Sequence, residues 1–538
     1  MTPMKKPLEV LRLYAPHDST LMGVFHSRAK VDPDREFVFF NGQSWTWAQF
    51  AHRVERTASF FLSQGVAHGD RVAVMARNCD GHVLALLSLA SIGAIMVPVN
   101  PEFGVEEAKY VLTHSEVCAV LASKDTLPVV RQAIQSLPMK PWIALLDEAH
   151  EEVPALEALT QAIPTPLSPN KVSAEDTVLI VYTSGTTGFP KGAMHSQANF
   201  VAGGEAFVQR VYLQNDDRVM VVLPMFHINA NFYSLAGTLA SGACLIIVPK
   251  FSASTFWQVA ADTRATQTNI IEAIGTIIKN RPRTEYRKDH RLRAVYGVRA
   301  NFADTFRHEF GIPHLIGGYG MTEIPGVTCN PVEGVQKWST MGPLGRHPDP
   351  DRAWAQCRVV DENGGDVGVD CEGELWVKTP IVMKGYFRDP EQTKAAFNEG
   401  WFMTGDVVKC DAEGYYTFVC RKKDIIRRRG ENISGAELDR VIGQFPPVLE
   451  VATVAVPADL GEDDILVAIV LKPHQKATAE QIALWCREHL APQKIPRYIL
   501  FVDTLPYTPT GKIQKAVLKA DKGLKLRAID LQMPSKAT

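Results

Sequence analysis

The sequence lacks the signals that mark several common protein classes. No uninterrupted apolar stretch reaches the ~20 residues of a membrane-spanning helix. The most apolar run, residues 83–99, is interrupted by Ser88, Ser91, Gly93 and Pro98 and reads as a buried helix followed by a short strand. The nine cysteines (Cys79, Cys118, Cys244, Cys329, Cys357, Cys371, Cys410, Cys420 and Cys486) include no C-x-x-C pair. That removes the usual zinc and dithiol redox spacings, and an odd number of scattered thiols fits a reducing, cytoplasmic compartment. The N-terminal residues hold Lys5 and Lys6 but no continuous apolar core or small-residue cleavage site, so no secretory signal is read there. Charge of one sign is also missing. The 57 Lys+Arg against 59 Asp+Glu leave −2, which gives neither nucleic acid nor an anionic membrane a global attraction. There is no G-x-x-x-x-G-K-[ST] string and no G-x-G-x-x-G after a strand, so a Walker loop and a Rossmann-type dinucleotide site are both unsupported.

What is present is a globular composition, 46% hydrophobic and 22% charged, on a chain of 538 residues, enough for more than one domain. Apolar β-rich runs at 71–75, 117–121, 177–183, 219–223 and 244–248 alternate with helical patterns such as 47–62 and 106–114. That alternation predicts an α/β fold of layered subdomains. A β-rich subdomain is expected from about residue 340, with turns at 361–365 and 411–414. After residue 423 a fresh pattern begins: helix at 436–444, strands at 452–456 and 465–471, helix at 479–489. We therefore expect a large N-terminal domain, 1–422, and a small mobile C-terminal α+β domain, 423–538, joined by a hinge in the basic stretch 421–429.

The sharpest local signal is Tyr182-Thr-Ser-Gly-Thr-Thr-Gly-Phe-Pro-Lys-Gly192, which follows an apolar strand. Gly185, Gly188 and Gly192 permit backbone shapes closed to other residues. Thr183, Ser184, Thr186 and Thr187 supply hydroxyls, Lys191 supplies an ammonium, and backbone N–H groups of such a loop form an anion-binding concavity. The parts suit a polyphosphate.

This loop resembles the signature of the adenylate-forming superfamily: acyl-CoA synthetases, nonribosomal-peptide adenylation domains and firefly-type luciferases. Further matching strings follow in the family's order: Pro224-Met-Phe-His-Ile228, Gly318-Tyr-Gly-Met-Thr-Glu323, Gly400-Trp-Phe-Met-Thr-Gly-Asp406, Arg421-Lys-Lys-Asp424, Gly430-Glu-Asn-Ile433 and Pro509-Thr-Gly-Lys-Ile513. In its middle the chain most resembles the carnitine/crotonobetaine-CoA ligase branch.

The resemblance implies an AMP-forming carboxylate–CoA ligase that uses ATP, Mg2+ and coenzyme A. A stand-alone enzyme loading a carrier-protein thiol and a non-catalytic nucleotide-binding relative are the alternatives. Partners would be small molecules, with no nucleic acid and no integral membrane segment; a homodimer stays open. By the same resemblance the ATP/AMP site comprises Thr183, Ser184, Gly185, Thr186, Thr187, Gly188, Lys191, Gly318, Tyr319, Gly320, Met321, Thr322, Asp406, Arg421 and Lys512. Tyr319 would stack on adenine, Asp406 would accept the ribose hydroxyls with Arg421 beside it, and Glu323 with Thr183 would hold Mg2+. Lys512 would be the catalytic lysine, acting with Lys191, Thr183 and His227, and Lys423 would be the hinge.

Three departures from the family pattern stand out. Arg429 precedes Gly430 at the expected CoA tunnel, where relatives carry a glycine pair. Arg299 replaces a small residue on the adenine-side loop, and Glu272 stands where many relatives carry a pocket proline. A buried acid needs a partner. Glu272 is therefore expected to recognise a cationic or hydroxylated acid or, as the favoured reading, to pair with Arg299. The acyl pocket is expected to include His227, Asn229, Asn231, Glu272, Arg299 and Gly318, and a cationic substrate would call on Phe232, Tyr233 and Glu272 as a cage.

Overall fold

The computed structural model describes residues 4–161, 171–183, 190–428, 431–458, 463–507 and 513–531, without the side chains of Lys423, Glu431, Asn432 and Gln493. Two seven-stranded sheets form the body. One runs in the order His314–Ile316, Ala294–Tyr296, Gln267–Asn269, Arg218–Val221, Cys244–Ile247, Glu36–Phe40, Gln43–Thr46. The other runs Gly385–Tyr386, Lys191–Ser196, Thr177–Thr183, Ile95–Pro98, Arg71–Met75, Ala119–Ala122, Trp142–Leu145. Their central strands are parallel and fully buried, which is why they read in sequence as continuous apolar runs.

Two helices, Asp80–Ile92 and Gln197–Val211, touch strands of both sheets and fill the largest core. Nearly every residue of Asp80–Ile92 is buried, so it can be apolar all round. It stops at Gly93, whose φ of 74° is left-handed and where a Cβ would strike the His68 ring. The strand Ile95–Pro98 then completes the buried helix-and-strand expected for the apolar run. No helix among the described residues is long and apolar enough to cross a membrane.

The β-rich layer is a five-stranded antiparallel sheet of Gln356–Val360, Gly373–Lys378, Trp401–Cys410, Phe397–Asn398 and Tyr416–Arg421. Beyond it a four-stranded sheet (Val448–Pro457, Asp463–Leu471, Tyr498–Phe501, Ile529–Asp530) carries the helices Gly435–Gly443 and Ala479–His489 and has its own core. All nine cysteines are free thiols.

Candidate active site

The polyphosphate-type loop joins two antiparallel strands, Thr177–Thr183 and Lys191–Ser196, with Thr183 opposite Lys191 in the register. Ser184, Gly185, Thr186, Thr187 and Gly188 lie outside the described residues, as do Arg429, Gly430 and Lys512. The loop's two ends are held by the helix Val105–His114. His114 Nδ1 is 2.7 Å from the Tyr182 hydroxyl, and the Tyr110 hydroxyl donates to the Pro190 carbonyl at 3.1 Å. These two anchors lie some seventy residues upstream, and no loop motif could have flagged them.

A turn at residues 318–323 meets this strand pair from the other side. It joins the short strands Gly318–Met321 and Ile324–Cys329. The pairing is tight: a Cβ on Gly320 would come 2.3 Å from the Gly326 nitrogen, so only glycine fits there. Three side chains tie the turn to three different strands.

First, the Tyr319 hydroxyl donates to Asp406 Oδ2. Asp406 has no exposed side-chain surface, and Arg421 Nε stands 2.8 Å from its other oxygen. Arg421 reaches it because Asp406 and Arg421 face each other across the Trp401–Cys410/Tyr416–Arg421 ladder. A second Arg421 N–H donates to the Thr404 carbonyl at 3.2 Å. Burial first, then the neighbouring Asp406 carboxylate, pushes the Tyr319 phenol well above its ordinary range. The phenol therefore stays a donor to Asp406.

Second, His195 Nε2 is 2.8 Å from the Thr322 carbonyl. A carbonyl only accepts, so this nitrogen carries the proton. Burial pushes the imidazole down to about 4, which keeps it neutral. Its Nδ1 is buried with no hydrogen-bond partner among the described residues.

Third, Glu323 is buried, and its Oε1 accepts a 2.9 Å hydrogen bond from Tyr386. The Lys191 ammonium lies 4.7 Å above the Tyr386 ring and donates to Gln392 Oε1 at 2.9 Å. Tyr386, Gln392 and His195 were not anticipated from sequence. Tyr386 belongs to a two-residue strand paired with Ala193, far along the chain, and His195 lies just past the loop string, in the strand Lys191–Ser196.

No group of three or more His, Cys, Asp and Glu side chains suited to a metal occurs among the described residues. A lone carboxylate such as Glu323, completed by substrate phosphate oxygens and water, is nonetheless an ordinary Mg2+ arrangement.

The residues assigned to the acyl side behave differently. His227 is half-buried, with its ring 4.2 Å from Phe226. Asn229 Oδ1 accepts from buried Asn269 at 3.1 Å. Asn231 is buried, and its amide nitrogen is spent on the Met225 and His227 carbonyls at 2.7 and 3.0 Å, so it shapes the turn.

The favoured Glu272–Arg299 pair is not formed. Both residues are exposed, and Arg299 Nη1 donates instead to the Gly318 carbonyl at 3.3 Å. Glu272 opens the helix Glu272–Asn280, where an exposed acid is favoured by the helix dipole and needs no counter-ion. Nor does a cage assemble. Phe232 is fully buried against Phe200 and His195, and Tyr233 already faces the Arg210 guanidinium at 5.5 Å.

At the junction near the expected hinge, Lys423 lies in the backbone turn Lys422–Asp424. Buried Glu374 accepts from the Gly405 N–H at 3.1 Å and pairs with Lys422 at 2.8 Å, while Asp424 pairs with Lys519 at 3.6 Å.

Residues 25–387 match the AMP-binding enzyme family, and residues 437–512 match the AMP-binding enzyme C-terminal domain. The crotonobetaine/carnitine–CoA ligase of Escherichia coli O139:H28 is 30% identical over 497 residues, 88% of this chain and 93% of that protein. A probable CoA ligase of Humulus lupulus, CCL9, is 30% identical over 522 residues, 93% of this chain and 96% of that protein. The crystal structure of ATP-bound MatB from Rhodopseudomonas palustris superposes with a TM-score of 0.81 at 25% identity, covering 97% of this chain and 100% of that one. The chain belongs to the AMP-binding enzyme family.

Proposed function

We propose that this protein is an ATP-dependent carboxylate–CoA ligase. It joins a carboxylic acid to AMP with release of pyrophosphate and passes the acyl group to the thiol of coenzyme A. The observation that carries the reading is the convergence on one turn, residues 318–323, of the buried Asp406 carboxylate with its Arg421 partner and of a tyrosine that links Lys191 to Glu323.

A carboxylate is a poor electrophile, and bringing it to a triphosphate opposes two anions. The site must therefore place cations and oriented donors where charge develops. In the first step a carboxylate oxygen bonds to the α-phosphorus and the bond to the pyrophosphate oxygen breaks. In the second the CoA sulfur bonds to the acyl carbon, AMP leaves, and the thiol proton passes to solvent.

Asp406 accepts from the ribose hydroxyls, with Arg421 fixing its orientation. The Tyr319 hydroxyl already donates to this carboxylate. Nucleotide binding exchanges the phenol for a ribose hydroxyl and frees the ring for the adenine face. Lys191, together with residues 184–188, offsets phosphate charge. Glu323 with Thr183 would hold Mg2+, which when bound supplies charge neutralisation to the triphosphate. His195 holds the Thr322 carbonyl and so fixes the turn that presents Tyr319 and Glu323.

Lys512 from the 423–538 domain bridges the two reacting anions in the adenylating pose. Rotation of that domain against 1–422 at Lys423 then exchanges it for a CoA path past Arg429 and Gly430. The acid lies near His227, Asn229, Gly318 and Arg299. Because Tyr233 already carries Arg210 on its ring, we favour a neutral or anionic acid over a quaternary ammonium one. A cytoplasmic location is supported by nine free thiols.

Acid-dependent pyrophosphate exchange across short, branched, aromatic, dicarboxylic and cationic acids, followed by thiol competition, tests the proposal. Exchange with at least one acid and acyl-CoA formation are expected. The absence of exchange with every acid, or turnover on a carrier protein and none on CoA, overturns it.

A further inference from the structure

Tyr386 lies between the two charged groups assigned to phosphate and metal. Its segment is fixed by three main-chain hydrogen bonds of 2.8 Å: Met383 N–H to the Glu323 carbonyl, Lys384 N–H to Met194, and Phe387 N–H to Gly192. Its own N–H donates to Thr393 Oγ1, also at 2.8 Å. The side chain is buried and has little freedom. Its hydroxyl engages Glu323 Oε1, and no hydrogen bond from the described residues reaches Oε2. Oε1 therefore already spends one of its lone-pair sites on Tyr386, and Oε2 is the less encumbered oxygen. Its ring face carries the Lys191 ammonium, which the neighbouring Gln392 also binds.

We infer that Tyr386 is a positioning residue that competes for Oε1 of Glu323, disfavours capture of one cation by both carboxylate oxygens, and thereby favours Mg2+ over larger divalent cations at this site. Mg2+ demands near-octahedral geometry and binds few protein carboxylates, whereas larger Ca2+ readily takes both oxygens of one carboxylate. A hydrogen bond that occupies Oε1 opposes the second mode. The inference rests on the assignment of Glu323 to the metal, which the test examines separately.

Mn2+ is the probe, read by electron paramagnetic resonance on the full chain with ATP and no acid, so that no turnover occurs. Mg2+ and Ca2+ are then titrated as competitors. Tyr386→Phe keeps the ring beneath Lys191 and removes only the hydroxyl. It is expected to raise half-saturating Mn2+ about tenfold, the effect of losing one hydrogen bond to a charged group, and to let Ca2+ compete more strongly relative to Mg2+. Metal-free AMP binding, which reads Asp406 and Arg421, should be unchanged.

Wild-type Mn2+ binding and an unchanged Mg2+/Ca2+ preference in Tyr386→Phe, with binding lost in Glu323→Gln, overturns the role of Tyr386 and leaves the ligase reading standing. Wild-type binding in Glu323→Gln removes Glu323 from the metal site itself. Loss of metal-free AMP binding in Tyr386→Phe would assign the hydroxyl to packing and also overturn the inference.

Discussion

The proposed nucleotide side and the proposed acid side of this site are built on opposite principles. On the first, Tyr319, Asp406, Arg421, Glu323 and Tyr386 meet around two buried carboxylates, each accepting a tyrosine hydrogen bond, with Arg421 paired to one of them. On the second, Asn231 turns its amide inward to main-chain carbonyls, and Glu272 and Arg299 stand in solvent without pairing. Burial forces polar groups to find partners, so a buried constellation is specified by its surroundings. Exposed groups are under no such demand and are free to vary with the substrate.

The largest expected break in this contrast is Asp406→Ala. It removes the acceptor of the Tyr319 hydrogen bond and the ion-pair partner of Arg421, and acid-dependent pyrophosphate exchange should fall by about a thousandfold. The check is kcat/KM for ATP, with metal-free AMP affinity falling in parallel.

Next comes pH. Burial pushes the imidazoles of His195 and His82 down to about 4. In the unfolded chain these groups protonate near ~6.5, so the unfolded state takes up protons first as pH falls. The stability difference is whole above pH ~6.5 and is lost progressively toward pH 4, by up to ~3 kcal/mol for each histidine. Urea unfolding at pH 7.5 and 4.5 measures it, and His195→Gln should make the pH dependence shallower.

On the acid side Asn231→Ala should cost ~2 kcal/mol of stability by leaving the buried Met225 carbonyl without its side-chain donor. Its KM for the acid should shift less than that of His227→Ala. Smallest of all, Glu272→Ala should move stability by no more than ~0.5 kcal/mol, and its effect should add to that of Arg299→Ala. Strong coupling between those two in a double-mutant cycle would restore the ion pair that the structure does not contain.

Much of the fold was legible because local pattern and final environment agree. The runs at 71–75 and 177–183 are strands with those bounds, and 479–489 is a helix with those bounds. Strand ends elsewhere moved by a residue or two, as at Arg218–Val221. The turns at 361–365 and 411–414 form with their expected closing hydrogen bonds. The expected Glu272–Arg299 pair does not form because both residues are exposed, and burial is a property of the surroundings. The direction in which the Asn231 amide turns was likewise not legible in sequence. Tyr386, His195, Tyr110 and His114 carried no motif at all. They matter through contacts between chain segments roughly seventy to almost two hundred residues apart.

By itself the sequence determined which segments would be strand or helix, the polyphosphate-type loop, and the chemical types needed to join an acid to AMP. Those follow from side-chain periodicity, glycine freedom and charge, which act within a few residues. Only the tertiary structure decided that Asp406 faces Arg421, that Tyr386 links Lys191 to Glu323, and that Glu272 and Arg299 stay apart. Those outcomes depend on strand register between remote segments and on which groups lose their water, and neither is written in any local stretch of the chain.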